Sequence, residues 1–143
     1  VWMATTGYGG DDRLNGGNGN DGLTGEFGAD ALSGGAGNDH FLYSSVTESP
    51  SGTGRDTVLD FTGNGAAIGD VIDLRNVDAN TLLAGRQTFT YIGNAAFTAA
   101  GQLRYSGGIL QGSTDADAAA EFEIQLVGAP ALTVGGAGTD ILL

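Results

Sequence analysis

Apolar side chains in the first third of the chain come singly and evenly spaced. Leu14, Leu23, Leu32 and Phe41 follow one another at a nine-residue period, each set among Gly, Asn and Asp. One large apolar residue per period marks a short strand with a single buried side chain, and the glycines around it mark tight turns. Beyond this stretch the pattern changes to short β-branched and aromatic runs at 41–44, 57–61, 71–74, 88–92, 102–105, 109–111 and 122–127. Separated by Gly, Asn and Asp, these runs read as strands. Alternation is clearest in Phe122-Glu123-Ile124-Gln125-Leu126, which puts the apolar side chains on one face. Residues 78–83 predict one short helix capped by Asp78. No run approaches the roughly 18 to 20 apolar residues of a spanning helix, and the N-terminus lacks the charged and apolar regions of a secretory signal. The chain reads as a piece of a longer protein.

Aligned on the nine-residue period, the segment 7–42 divides into GYGGDDRLN, GGNGNDGLT, GEFGADALS and GGAGNDHFL. Position one is Gly7, Gly16, Gly25 and Gly34; position four is Gly10, Gly19, Gly28 and Gly37; position six is Asp12, Asp21, Asp30 and Asp39. A flexible low-complexity linker would not hold these positions in register. Two units, each a turn and a short strand, make one coil of a flattened solenoid, so Asp12 stacks with Asp30 and Asp21 with Asp39. Facing carboxylates repel and oppose folding unless a cation lies between them. Ca²⁺ suits such a gap, because it takes six to eight oxygens at about 2.3 to 2.6 Å and Gly-rich turns supply carbonyls beside the carboxylates. The carbonyl candidates are the position-four glycines and, at position two, Gly17 and Gly35. Tyr8 and Glu26 replace the second glycine in units one and three. Their carbonyls remain available.

Composition narrows the partners. Of 143 residues, 27 are glycine, and 17 acidic groups face five arginines and no lysine, for a formal charge of −12. Such a surface repels phosphate backbones and anionic lipid, which argues against nucleic-acid and membrane partners. With no cysteine and one histidine, disulfides are impossible and a zinc site of ordinary ligands is disfavoured. Oxygen ligation of a hard cation remains.

The repeat matches the G-G-x-G-x-D-x-U-x pattern and resembles the Ca²⁺-binding nonapeptide repeats of RTX (hemolysin-type) proteins. The runs Arg55-Asp56-Thr57-Val58-Leu59-Asp60-Phe61, Gly69-Asp70-Val71-Ile72-Asp73-Leu74, Phe122-Glu123-Ile124-Gln125-Leu126 and Thr139-Asp140-Ile141-Leu142-Leu143 resemble the C-terminal domain of serralysin-type secreted metalloproteases. This resemblance covers nearly the whole chain. It implies an all-β fold: a parallel β-roll over residues 1–44, continued by an antiparallel β-sandwich over 45–143. It also implies bound Ca²⁺, an uncleaved C-terminal signal for type I export, an extracellular location, and contact with the secretion machinery and with an upstream catalytic or repeat domain. Carried over residue by residue, the family adds two ligands past the last repeat, Glu48 and Asp56. Glu48 also falls one coil's spacing after Asp30.

Weaker signals have plainer readings. Asp115-Ala116-Asp117 before Glu121 lacks the glycine and third aspartate of a Ca²⁺ loop and reads as an acidic loop. Residues 135–143 match the repeat once more, read as the export tail, and leave Asp140 a marginal ligand. His40 reads as a surface histidine. Trp2 and Tyr8 mark the N-terminal end of the roll as the face that meets the upstream domain. No H-E-x-x-H, Gly-x-Ser-x-Gly or second histidine is present, so zinc proteolysis and serine hydrolysis do not reside in this chain. The expected function is a non-catalytic Ca²⁺-dependent folding and export module. The alternatives are the end of an RTX lipase, toxin or adhesin, or a polysaccharide-binding module of the kind attached to alginate epimerases. The last calls for a basic stripe, and five scattered arginines make a poor one.

Overall fold

The computed structural model describes residues 3–63 and 69–143. Trp2 lies outside the described residues. Twelve strands are assigned: β1 (Met3–Gly9), β2 (Arg13–Asn18), β3 (Asp21–Phe27), β4 (Ala31–Ala36), β5 (His40–Leu42), β6 (Asp56–Val58), β7 (Val71–Asp73), β8 (Thr90–Tyr91), β9 (Gln102–Ser106), β10 (Ile109–Ser113), β11 (Phe122–Leu126) and β12 (Ile141–Leu142). The chain alternates between two sheets through the repeats. One sheet has the order β1-β3-β5-β7-β12, the other β2-β4-β6-β11-β10-β9-β8. No helix among the described residues is long and apolar enough to cross a membrane.

The single apolar residue of each unit sets the register. In the first sheet Thr5, Leu23, Phe41, Ile72 and Ile141 stack through parallel pairings. In the second, Leu14, Leu32, Val58 and Leu126 do the same. These two columns supply the shared core, with Leu23, Phe41, Val58 and Ile72 fully buried. Parallel pairing therefore outlasts the sequence repeat: residues past 44 extend both sheets of the roll. The expected antiparallel strands are also present, as β11-β10-β9 in the second sheet.

The helix expected at 78–83 does not form. Asp78 Oδ1 accepts hydrogen bonds from the backbone N–H of Asn80 at 3.1 Å and Gln87 at 3.0 Å, and Asn80 Oδ1 accepts from Leu82 N at 3.0 Å. Local Asx turns thus outcompete the helix. The tail residues 135–143 fold back as β12, where Ile141 is buried and pairs with Ile72. His40 is half-buried within β5 and is not the fully surface residue expected.

Candidate metal centre

Each turn between strands carries one aspartate of a ladder. Asp12 N donates to Asp30 Oδ1 at 2.8 Å, Asp21 N to Asp39 Oδ1 at 2.8 Å, and Met3 N to Asp21 Oδ1 at 3.2 Å. One oxygen of each carboxylate thus ties its coil to the preceding one. The expected pairs, Asp12 with Asp30 and Asp21 with Asp39, are adjacent rungs.

The second oxygens behave differently. Asp21 Oδ2, Asp30 Oδ2 and Asp39 Oδ2 are buried and accept no hydrogen bond among the described residues. A buried carboxylate oxygen without a partner costs several kcal/mol. Burial pushes the Asp30 and Asp39 carboxyls above their usual range, and the neighbouring carboxylates Asp12 and Asp21 add to the shift while the ladder hydrogen bonds oppose it.

The glycine pattern follows from the same geometry. A Cβ on Gly34 would collide with Asp39 Oδ2, and one on Gly37, which has φ +143°, would collide with the Gly19 carbonyl oxygen. Position one is glycine because the carboxylate lies against its Cα, and Gly28 and Gly37 at position four because the carbonyl of the preceding coil does. At position two the backbone is left-handed in all four units: Tyr8 φ 123°, Gly17 φ 97°, Glu26 φ 70° and Gly35 φ 94°. Tyr8 and Glu26 keep the turn at the cost of backbone strain of about 1 kcal/mol or more each. The Gly10 and Gly17 carbonyl oxygens lie against Gly28 and Gly35 one coil on. Carboxylate oxygens and turn carbonyls, with no nitrogen or sulfur, make a donor set suited to a hard divalent cation.

The ladders end on two residues that close both oxygens. Asp56 Oδ1 accepts from Asp30 N at 2.9 Å and its Oδ2 from Tyr43 Oη at 3.0 Å. Asp70 Oδ1 accepts from Asp39 N at 2.9 Å and its Oδ2 from Thr62 N at 2.8 Å. Burial drives the Asp56 carboxyl up to about 7, against the bonds from Asp30 and Tyr43. Glu48 is also buried and accepts from Ser44 N at 3.0 Å, held there by a 3-10 turn, Val46–Glu48, that Ser45 caps. Burial raises the Glu48 carboxyl, and the charge of Glu26 raises it further. The residue stacked on Asp30 is therefore Asp56, while Glu48 reaches the same edge from a loop.

Sequence reading missed Asp70 and Asp60 as functional positions. Asp70 precedes Ile72 as Asp39 precedes Phe41, so the Asp-x-apolar spacing inside a unit could have found it. Asp60 accepts from Gly34 N and Gly35 N, both at 3.0 Å, and from Ser33 Oγ at 2.6 Å. It caps the last Gly-rich turn of the second sheet. Asp140 is buried, its Oδ2 accepting from Thr133 N at 2.6 Å and its carbonyl from Ile72 N at 2.9 Å, one strand beyond the Asp70 rung. Asp115, Asp117 and Glu121 bring carboxylate oxygens within 4.8 Å of one another. Those carboxylates brace their own loop, through Asp117 N on Asp115 and Thr114 N on Glu121.

A parallel roll with one aspartate and one core residue per nine-residue turn defines a β-roll repeat module. The chain belongs to the serralysin C-terminal family: the family described as Peptidase M10 serralysin C terminal matches residues 11–142. That family is an RTX-type, non-catalytic C-terminal module. Among solved structures, the chain is similar to the AlgE6R3 subunit of the Azotobacter vinelandii mannuronan C5-epimerase, determined in solution. The TM-score is 0.52 and the identity 25%, over 89% of this chain and 71% of that one. A search of the curated proteins gives no match.

Proposed function

We propose that this chain is a Ca²⁺-driven folding and export module at the C-terminal end of a secreted protein. The observation that carries the reading is the row of buried, unpartnered oxygens on Asp21, Asp30 and Asp39. Asp12, Asp21, Asp30 and Asp39 would hold the ions together with the carbonyls of Gly10, Gly19, Gly28 and Gly37 and of the position-two residues Tyr8, Gly17, Glu26 and Gly35. Glu48 would serve a further site at the end of the first ladder, beside Asp56, whose two oxygens the protein already holds. Bound Ca²⁺ supplies the positive charge that offsets the repulsion between rungs.

Folding and ion binding are then linked. In a Ca²⁺-poor cytosol the ladder carboxylates repel, and a chain of formal charge −12 stays open, as passage through an export channel requires. Outside the cell, ligation stabilises only the folded form, by about 2.7 kcal/mol per site at a hundredfold excess over the dissociation constant. In this reading residues 1–44 are the ion-dependent roll, and 45–143 close its end and carry the export signal. The family membership supports secretion and a larger parent, a serralysin-like protease before a lipase, toxin or adhesin.

The test is far-UV circular dichroism of the chain in chelator, titrated with CaCl₂ and separately with MgCl₂. A cooperative gain of β-structure with Ca²⁺ alone is expected. A spectrum already folded in chelator and unchanged by Ca²⁺ would sink the mechanism.

A further inference from the structure

Position five of the repeat, which the G-G-x-G-x-D-x-U-x pattern leaves open, is Asp11, Asn20, Ala29 and Asn38. In the first two units its side chain spans the coils. Asp11 Oδ1 accepts from Ala29 N at 2.9 Å, and Asn20 Oδ1 accepts from Asn38 N at 3.0 Å. Each of these bonds lies beside the ladder bond of the following residue, Asp12 N to Asp30 Oδ1 or Asp21 N to Asp39 Oδ1, both at 2.8 Å. The two run in opposite directions. At position six the earlier coil donates its backbone to a side chain of the later one. At position five the later coil donates its backbone to a side chain of the earlier one. Position four adds a third bond, Gly10 N to Phe27 O at 2.8 Å or Gly19 N to Ala36 O at 2.7 Å, directed as at position six. Asp11 and Asn20 thus supply the one bond of each set of three that runs back.

This clamp closes where the candidate ligand carbonyls stand. A Cβ added to Gly37 would meet the Gly19 carbonyl oxygen and, at 3.1 Å, Asn20 Oδ1; one added to Gly28 would meet the Gly10 carbonyl oxygen. An oxygen held at hydrogen-bond distance over the next turn resists both parting and sliding of the two turns. That oxygen is what the two positions share, since one residue is charged and the other is an amide. Asp11 and Asn20 are exposed, so neither bond adds much to stability by itself. Their effect is on the spacing of one turn against the next.

We propose that Asp11 and Asn20 are positioning residues that set the coil-to-coil gap at the cation sites, and so the size of ion those sites prefer. The proposal rests on the Ca²⁺ reading above and names what tunes it. Selectivity among hard cations follows from cavity size and flexibility as well as from the donors. Ala29 has no side-chain acceptor for the coil that follows, and the Asn38 side chain makes no hydrogen bond among the described residues. The clamp therefore joins units one and two to units three and four, where Asp21, Asp30 and Asp39 carry the unpartnered oxygens.

The experiment is far-UV circular dichroism of the full chain titrated with CaCl₂ and, separately, with SrCl₂, whose ion is larger. The readout is the ratio of the two folding midpoints. Asn20→Ala should raise the Ca²⁺ midpoint about threefold and bring the Sr²⁺ to Ca²⁺ ratio about threefold nearer to one. Asn20→Asp keeps the oxygen and should keep the ratio of the unsubstituted chain. Asn38→Ala, the same residue type with no coil to clamp, should change neither quantity. If Asn20→Ala does not fold, Asp11→Ala reports the same ratio on the other edge. A lost stabilising contact without a positioning role would move both midpoints together; an unchanged ratio in Asn20→Ala and Asp11→Ala would therefore overturn the proposal. A ratio shifted equally by Asn20→Asp would overturn it too. An unsubstituted chain that responds to neither ion contradicts the Ca²⁺ reading itself, whereas one that responds to Ca²⁺ while all variants match it contradicts the clamp alone.

Discussion

The middle and the end of each aspartate ladder use the same residue in the same register to opposite effect. In the middle, Asp21, Asp30 and Asp39 give one oxygen to the preceding coil and leave the other buried without a donor. At the end, Asp56 and Asp70 give one oxygen to the preceding coil and the other to Tyr43 and Thr62. The middle rungs need something the polypeptide does not supply, and the end rungs do not. A carboxylate's role in this fold is therefore set by what faces its second oxygen, not by its place in the repeat.

The largest effect should come from removing an end rung. Asp56→Ala strands the Tyr43 hydroxyl and the Asp30 N–H in a buried place and should cost about 3 to 5 kcal/mol, measured by urea unfolding in saturating Ca²⁺. Because the lost partners are protein groups, added Ca²⁺ should not rescue it.

Next in size is the pH response of the chelated chain. Burial holds the Asp56 carboxyl at about 7 in the fold against an ordinary 3.8, so the folded state binds the proton more tightly. The stability of the metal-free fold is then highest below pH 4 and falls as pH rises toward 7. Raising pH from 5 to 7 should cost about 2 to 3 kcal/mol, and Asp30, Asp39, Asp70 and Glu48, all raised mainly by burial, push the same way. Far-UV circular dichroism of the chelated chain, open near pH 7, checks the sign: β-structure should grow as pH falls from 7 to 5.

A smaller effect belongs to Asp60, which holds two N–H groups and one hydroxyl of the last turn. Asp60→Ala should cost about 1 to 2 kcal/mol, visible in thermal unfolding with Ca²⁺ present. Smallest is Glu26→Gly. The substitution relieves a left-handed backbone at φ 70° and should raise stability by about 1 kcal/mol in excess Ca²⁺, read by thermal unfolding.

The roll was legible because its constraints are local and periodic: one core residue, one carboxylate and two close-approach glycines in each nine. The strands after residue 44 were legible as strands, but not as additional rungs. Asp56 and Asp70 follow Asp30 and Asp39 by 26 and 31 residues, and such insertions hide a register that only the Asp-x-apolar spacing preserves. The 78–83 helix failed because Asp78 and Asn80 hydrogen-bond their own backbone, a competition that helical spacing ignores. The linked row Arg55-Glu123-Gln111-Arg104 was invisible for a different reason: it crosses β11, β10 and β9 from the residue before β6, in a sheet whose strand order departs from chain order.

The central claim rests on the unpartnered oxygens, and Asp30→Asn probes one of them. The substitution keeps an acceptor for Asp12 N while replacing the charged Oδ2 with an amide. The Ca²⁺ midpoint of folding, read by far-UV circular dichroism, should rise at least tenfold relative to the unsubstituted chain. Folding of Asp30→Asn at an unchanged Ca²⁺ midpoint, or in chelator as readily as in Ca²⁺, would contradict the account.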